Sequence, residues 1–264
     1  MRPRGFYQLT LDALRIDDEH VFESVEHFVA LRETVREAGL TFRVAPEASV
    51  HAEWSRVLFL NLTYWHGSEG NSDALASRNI PADVVTHVAW HYLAQRALLG
   101  DFTGESMLMG ECIASAYDLF LLGSLWCKKV DCDFVSALRE ALFAMFEEQG
   151  MTHHEFELWL DGLAHDPERA FEDLRALLFD LCVGLLASKS LDDAVAVFDA
   201  HSDRRFAGIV HHYELSNWLL HTRAYAATRL DMDPQVRALD ASLRAAARPV
   251  QWLADTWIAT PPSH

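Results

Sequence analysis

From Pro81 to residue 247 the chain reads as one helix-length segment after another. Apolar residues recur three or four apart in 81–99, 103–127, 132–149, 152–164, 167–188, 191–201, 206–230 and 234–247, the spacing that gathers them on one face of a helix. Several segments also sign their own starts. In "THHE", Thr152 and Glu155 have the spacing of a capping box, which satisfies amide groups that a first turn leaves open. At Asp166-Pro167 and Asp233-Pro234 the Asp side chain can cap, and the Pro occupies the first helical position, where its missing N–H is not needed. Amphipathic helices in such number bury their apolar faces against one another. The predicted fold is therefore mainly α, a multi-helix bundle-like domain.

The N-terminal 65 residues are less uniform. Val21, Val25, Phe28, Leu31 and Val35 predict a helix over 18–38 that stops at Gly39. "FYQLTLDALRI" and "LTFRVAP" read as short strands, and "RVLFLNLTYW" fits a buried strand or a buried helix equally well. A small β element is expected within 1–65. "HGSEGNSDALASRNIP" (66–81) reads as a loop ending at Pro81, and 81–264 as the helical body, with the whole chain forming one compact unit.

Charge narrows the functional classes. The 264 residues carry 39 carboxylates against 22 Lys and Arg, a formal charge of −17. The basic residues form no stripe that could track phosphates, which argues against nucleic acid and anionic membrane as partners. The strongest apolar runs, "LFLLGSLW" and "LCVGLLA", fall short of the ~20 residues of a spanning helix and fit buried helices. "MRPRGFYQL" lacks the apolar core of a secretion signal, so a cytoplasmic location is expected. Cys112, Cys127, Cys132 and Cys182 form no CxxC pair and are expected to be reduced and mostly buried.

One stretch, "THVAWHYLAQRALLGDFTGESMLMGECIASAYD", combines metal-ligand chemistry with helical spacing. On a helix His87 and His91 share a face with Val84, Ala94 and Leu98. Nineteen residues separate His91 from Glu111, which lies among Met107, Leu108, Ile113 and Ala114 on the next predicted helix. An unpaired carboxylate on an apolar face is unfavourable. A shared cation would satisfy all three, and two imidazoles with one carboxylate complete the protein ligand set of catalytic zinc or non-haem iron. The ordinary alternative is that backbone carbonyls satisfy the histidines and an Arg such as Arg96 pairs with Glu111.

His87, His91 and Glu111, with "GECIASAYDLF" around the last, resemble the ligand pattern of the gluzincin metallopeptidases over about 35 residues. In that family HExxH is followed, eighteen or more residues later, by a Glu ligand on a following helix, often in a segment like "NEGFASYF". The resemblance implies that His87, His91 and Glu111 are zinc ligands. Val88 stands where the family has the Glu that activates the metal-bound water, so the usual peptidase mechanism lacks its proton acceptor. Ser115 stands where thermolysin-like members have an orienting Asp, and Asp118 follows nearly a turn later, which makes these two the candidates for support around the ligands.

The chain contains 14 His. "IVHHYELSNWLLH" would align His211, Glu214 and His221 along a 206–230 helix, as a possible second site beside the first or as a solvated helix face. Trp54, Trp65 and Trp90 flank the candidate site and could line an apolar pocket. The function expected is that of a metal-dependent enzyme using zinc or iron on a small-molecule or peptide substrate. Two alternatives stay open: a non-haem iron or di-iron oxidase or oxygenase in a helical bundle, and a non-catalytic, degenerate zincin-like interaction protein whose acidic surface meets a basic protein partner.

Overall fold

A computed structural model describes residues 7–44, 74–75, 77–98, 103–225 and 233–259. Contacts group the chain into two units, Met1–Ala89 and Trp90–His264, and the division falls inside one continuous helix, Ala82–Ala97. "RVLFLNLTYW", Trp54, Trp65 and residues 66–73 lie outside the described residues.

In the first unit, β1 (Tyr7–Thr10) pairs antiparallel with β3 (Thr41–Val44), which pairs parallel with β4 (Ala74–Leu75). β2 (Arg15–Asp17) and β5 (Asn79–Pro81) form a separate parallel pair with Ile16 opposite Ile80. The predicted strands are present. The single helix expected over 18–38 is instead two, α1 (Glu19–Phe22) and α2 (Phe28–Glu37), separated by a turn in which His27 adopts φ 71°. The break keeps the apolar spacing useful: Phe22, Val25, Phe28, Leu31 and Val35 are all buried, and the Phe22 and Phe28 rings lie 5.5 Å apart. It also lets Arg32 collect Glu19, Glu23 and Glu33 at 2.6, 3.0 and 3.1 Å. Gly39 ends α2 as predicted. At φ 62° it allows its own N–H to reach Arg36 O and that of Leu40 to reach Val35 O, closing the last turn. Pro81 differs from expectation, being the last residue of β5 opposite Asp17, so the next helix, α3 (Ala82–Ala97), begins one residue later.

The second unit holds the C-terminal part of α3 and then α4 (Gly104–Cys127), α5 (Asp133–Glu148), α6 (His153–His165), α7 (Pro167–Ala187), α8 (Leu191–Asp199), α9 (Leu215–Tyr225), α10 (Pro234–Ala245) and α11 (Pro249–Leu253). α4 is its centre, packed chiefly against α7 and α6. Most α4 residues are buried, and at Gly123 a Cβ would stand 2.8 Å from the Leu163 carbonyl oxygen, so only glycine admits this approach. Among the described residues α4 alone is long and apolar enough to cross a membrane, yet 89% of its most apolar stretch is buried inside the protein. The cap signals at Thr152, Asp166 and Asp233 all form.

Several buried charges are paired. Arg175, fully buried on α7, holds Glu172 through two bonds of 2.8 and 2.7 Å and Asp240 of α10 at 2.8 Å. Glu105, at the start of α4, accepts from the Asp233 amide and from Arg237 Nε, fastening α4 to α10. Glu168 accepts from the amides of Val250 and Gln251 and so caps α11 from outside its own segment. The helix expected over 206–230 is broken: a 3-10 turn spans Ala207–Tyr213, Glu214 sits at φ 43°, ψ 44°, and only then does α9 begin.

Candidate metal centre

α3 is most deeply buried along Val85, Val88, Ala89 and Trp90, while His87 and His91 stand with Val84 and Leu98 on a half-buried side. The imidazoles are therefore at the edge of the core. Trp90 turns away into the core, its ring 5.3 Å from Tyr117 and 6.4 Å from Trp257.

α4 brings Glu111 against this edge. His91 Nε2 is 2.7 Å from Glu111 Oε2, with the two side chains 14% and 10% exposed. The two helices lie close here: a Cβ on Gly110 would make ordinary contact, 3.4 Å from Ala94 Cβ and 3.7 Å from His91 Nδ1. One ligand atom from each of His87, His91 and Glu111 falls within 4.8 Å of the others. Metal bonds of ~2.0–2.2 Å place ligand atoms roughly 3–3.5 Å apart, so these side chains need only small rotamer adjustments to close on an ion. The His91–Glu111 pair would have to open by about 0.5 Å, exchanging a hydrogen-bond distance for a coordination distance. Two imidazoles and a carboxylate are a donor set able to hold a metal ion. Arg96 is engaged elsewhere, donating to the Trp257 carbonyl with its guanidinium 5.8 Å from the Tyr92 ring centre.

Ser115 and Asp118 continue the face of α4 that carries Glu111, at i+4 and i+7. Ser115 is buried; Asp118 is half-buried and about 10 Å further along the axis. Asp118 belongs to the surroundings of Tyr213, whose phenol is pushed far above its ordinary range by burial, with the Asp118 charge adding to the effect.

The stripe of His211, Glu214 and His221 does not form, because the left-handed residue at Glu214 takes the three off a common helix. His211 is exposed and stacks on Phe198, Glu214 is exposed and accepts from Asn217 Nδ2 at 2.6 Å, and His221 is half-buried on α9. Among the described residues no further group of three His, Cys, Asp or Glu side chains comes together as the first does. Cys112, Cys132 and Cys182 are buried and Cys127 is exposed, all as free thiols. Burial pushes the Cys112 thiol well up, and its contact with the Cys182 thiol adds to this.

Sequence reasoning passed over two residues. Gly110 sits directly before Glu111, and a glycine inside a helix signals a close approach. Asp83, in the first turn of α3, carries a carboxyl pushed up to about 6 by burial, opposed by bonds from the Asp83 and Val84 amides and reinforced by the Asp18 charge. Those amide bonds commit it to the start of the helix. No protein-family profile, no curated protein and no solved structure matches the chain.

Proposed function

We propose that this protein is a metal-dependent enzyme in which His87, His91 and Glu111 hold a single zinc or iron ion at the rim of the helical core. The observation that carries it is the convergence of three ligand atoms within 4.8 Å, from two helices, at a half-buried edge. His87 and His91 would bind as neutral imidazoles, and the Glu111 carboxylate would offset part of the ion's charge in a place where an isolated carboxylate is unfavourable. Three protein ligands leave coordination positions open on the exposed side, for water or for a small-molecule or peptide substrate. The ion itself would supply Lewis-acid polarisation of what it binds there.

The ligand spacing resembles that of the gluzincins, but Val88 is 3% exposed and carries no proton acceptor, so proton transfer falls to a group other than the residue after the first histidine. Elemental analysis by ICP-MS of untagged protein, beside His87→Ala/His91→Ala, tests the assignment. About one zinc or iron per chain, absent from the double variant, is the expected result. Metal in neither protein, with the variant merely less stable, would leave a non-catalytic helical protein. Two irons per chain would point to a dinuclear oxidase.

A further inference from the structure

α8 is an amphipathic helix turned the wrong way for a core element. Among the described residues seven large apolar side chains are exposed, and three of them, Leu191, Val195 and Phe198, at 78%, 50% and 38%, lie on this one helix. They stand at i, i+4 and i+7, so they form a single stripe roughly 10 Å long. α8 meets the rest of its unit through Ala194 and Val197, the latter packed so tightly on Gly184 that a Cβ there would lie 2.8 Å from a Val197 methyl. The outward stripe is thus not a loosely attached inner face.

The stripe does not stop at the helix. The Phe198 ring stacks on His211 at 6.4 Å and 19°, and His211 also lines a groove of about 640 Å³ with Met145, Glu148, Gln149, Ala207 and Gly208. Asp192 and Asp199 flank one side of the stripe, both exposed, and Glu148 contributes a carboxylate to the groove. An apolar strip edged by carboxylates, on a chain of net charge −17, is complementary to one kind of occupant. A second copy of this chain would set the same carboxylates against each other across the contact.

We propose that the α8 stripe and the adjoining groove bind a basic amphipathic helix of a partner protein, whose apolar face covers Leu191, Val195 and Phe198 while its Lys or Arg side chains meet Asp192, Asp199 and Glu148. This surface is independent of the metal centre. The test uses fluorescence anisotropy of a dye-labelled Leu/Lys peptide, about 18 residues or roughly five turns long, with Leu at i, i+3, i+4 and i+7. A Leu/Glu peptide with the same apolar face serves as control. Saturable binding of the Leu/Lys peptide is expected, weakened at least about tenfold in Leu191→Asp/Val195→Asp. That variant raises the negative charge, so simple attraction between opposite charges would make it bind more tightly, and its exposed positions leave the helix content by circular dichroism unchanged. Undiminished binding by the variant would overturn the proposal, as would equal binding of the two peptides. So would self-association of the wild-type chain in sedimentation velocity that the variant abolishes, because a second copy would then cover the stripe.

Discussion

The α3–α4 pair and the segment 207–225 begin from similar raw material, two histidines and a glutamate at helical intervals, and end differently. In the first, two uninterrupted helices bring His87, His91 and Glu111 within 4.8 Å, with the carboxylate supplied from a core helix. In the second, a left-handed Glu214 splits the chain into a 3-10 turn and α9, and His211, Glu214 and His221 go to separate surroundings. Histidine and carboxylate spacing makes a candidate site only if the helix beneath it is continuous and a second element closes over it.

The largest effect should come from setting the two regions against each other. His87→Ala/His91→Ala is expected to lose essentially all bound metal by ICP-MS, whereas His211→Ala/His221→Ala should retain the wild-type stoichiometry. Loss in the second pair, or retention in the first, would reverse the contrast.

The two regions should also respond oppositely to pH. The Asp83 carboxyl is pushed up to about 6 from 3.8, so its contribution to stability is present below the unfolded value and is lost as pH rises through 6. Two pKa units correspond to at most about 3 kcal/mol. Asp83→Asn should therefore raise the Tm near neutral pH and flatten the decline between about pH 4 and 6. His212 has the opposite sign: burial lowers its pKa, only partly offset by the Glu214 charge, so its contribution is present above 6.5 and is lost as pH falls through the lowered value. In His212→Gln the loss of stability on the acid side of 6.5 should shrink, while Asp83→Asn leaves it in place; a thermal melt series across pH distinguishes them.

A smaller, graded effect lies at the helix crossing. An Ala side chain at Gly110 meets Ala94 and His91 only in ordinary contact, whereas a Val would enter the space beside His91 Nδ1. Metal affinity by competition with a chromogenic chelator should be nearly unchanged in Gly110→Ala and fall roughly tenfold, about 1.4 kcal/mol, in Gly110→Val. Equal affinities in both would mean that the crossing does not govern Glu111.

What could be read from the sequence follows the same line. The helices from α3 onward were legible because their ends are marked by chemistry, as at Thr152, Asp166-Pro167 and Asp233-Pro234. The spacing of His87, His91 and Glu111 was legible because helical geometry alone places the first two together. The breaks at His27 and Glu214 were not, since neither is a Gly or Pro, the residues that ordinarily mark a left-handed position or a helix break in a sequence. Pro81 misled for a related reason, as a residue suited to a first helical turn also suits the end of a short strand.

Glu214 gives the finest test of that explanation. A residue with a Cβ in the left-handed region is strained by roughly 1 kcal/mol relative to glycine, and Glu214 offsets part of this through its exposed bond from Asn217. Glu214→Gly should relieve the strain and lose the bond, leaving stability within about 0.5 kcal/mol of wild type, while Glu214→Ala keeps the strain and loses the bond. Chemical denaturation should then rank Gly above Ala by about 1 kcal/mol. If Ala proved the more stable, the segment would favour a continuous helix once the carboxylate is gone. His211 and His221 would then return to the common face that their spacing suggests, and the difference between the two regions would reduce to this single residue.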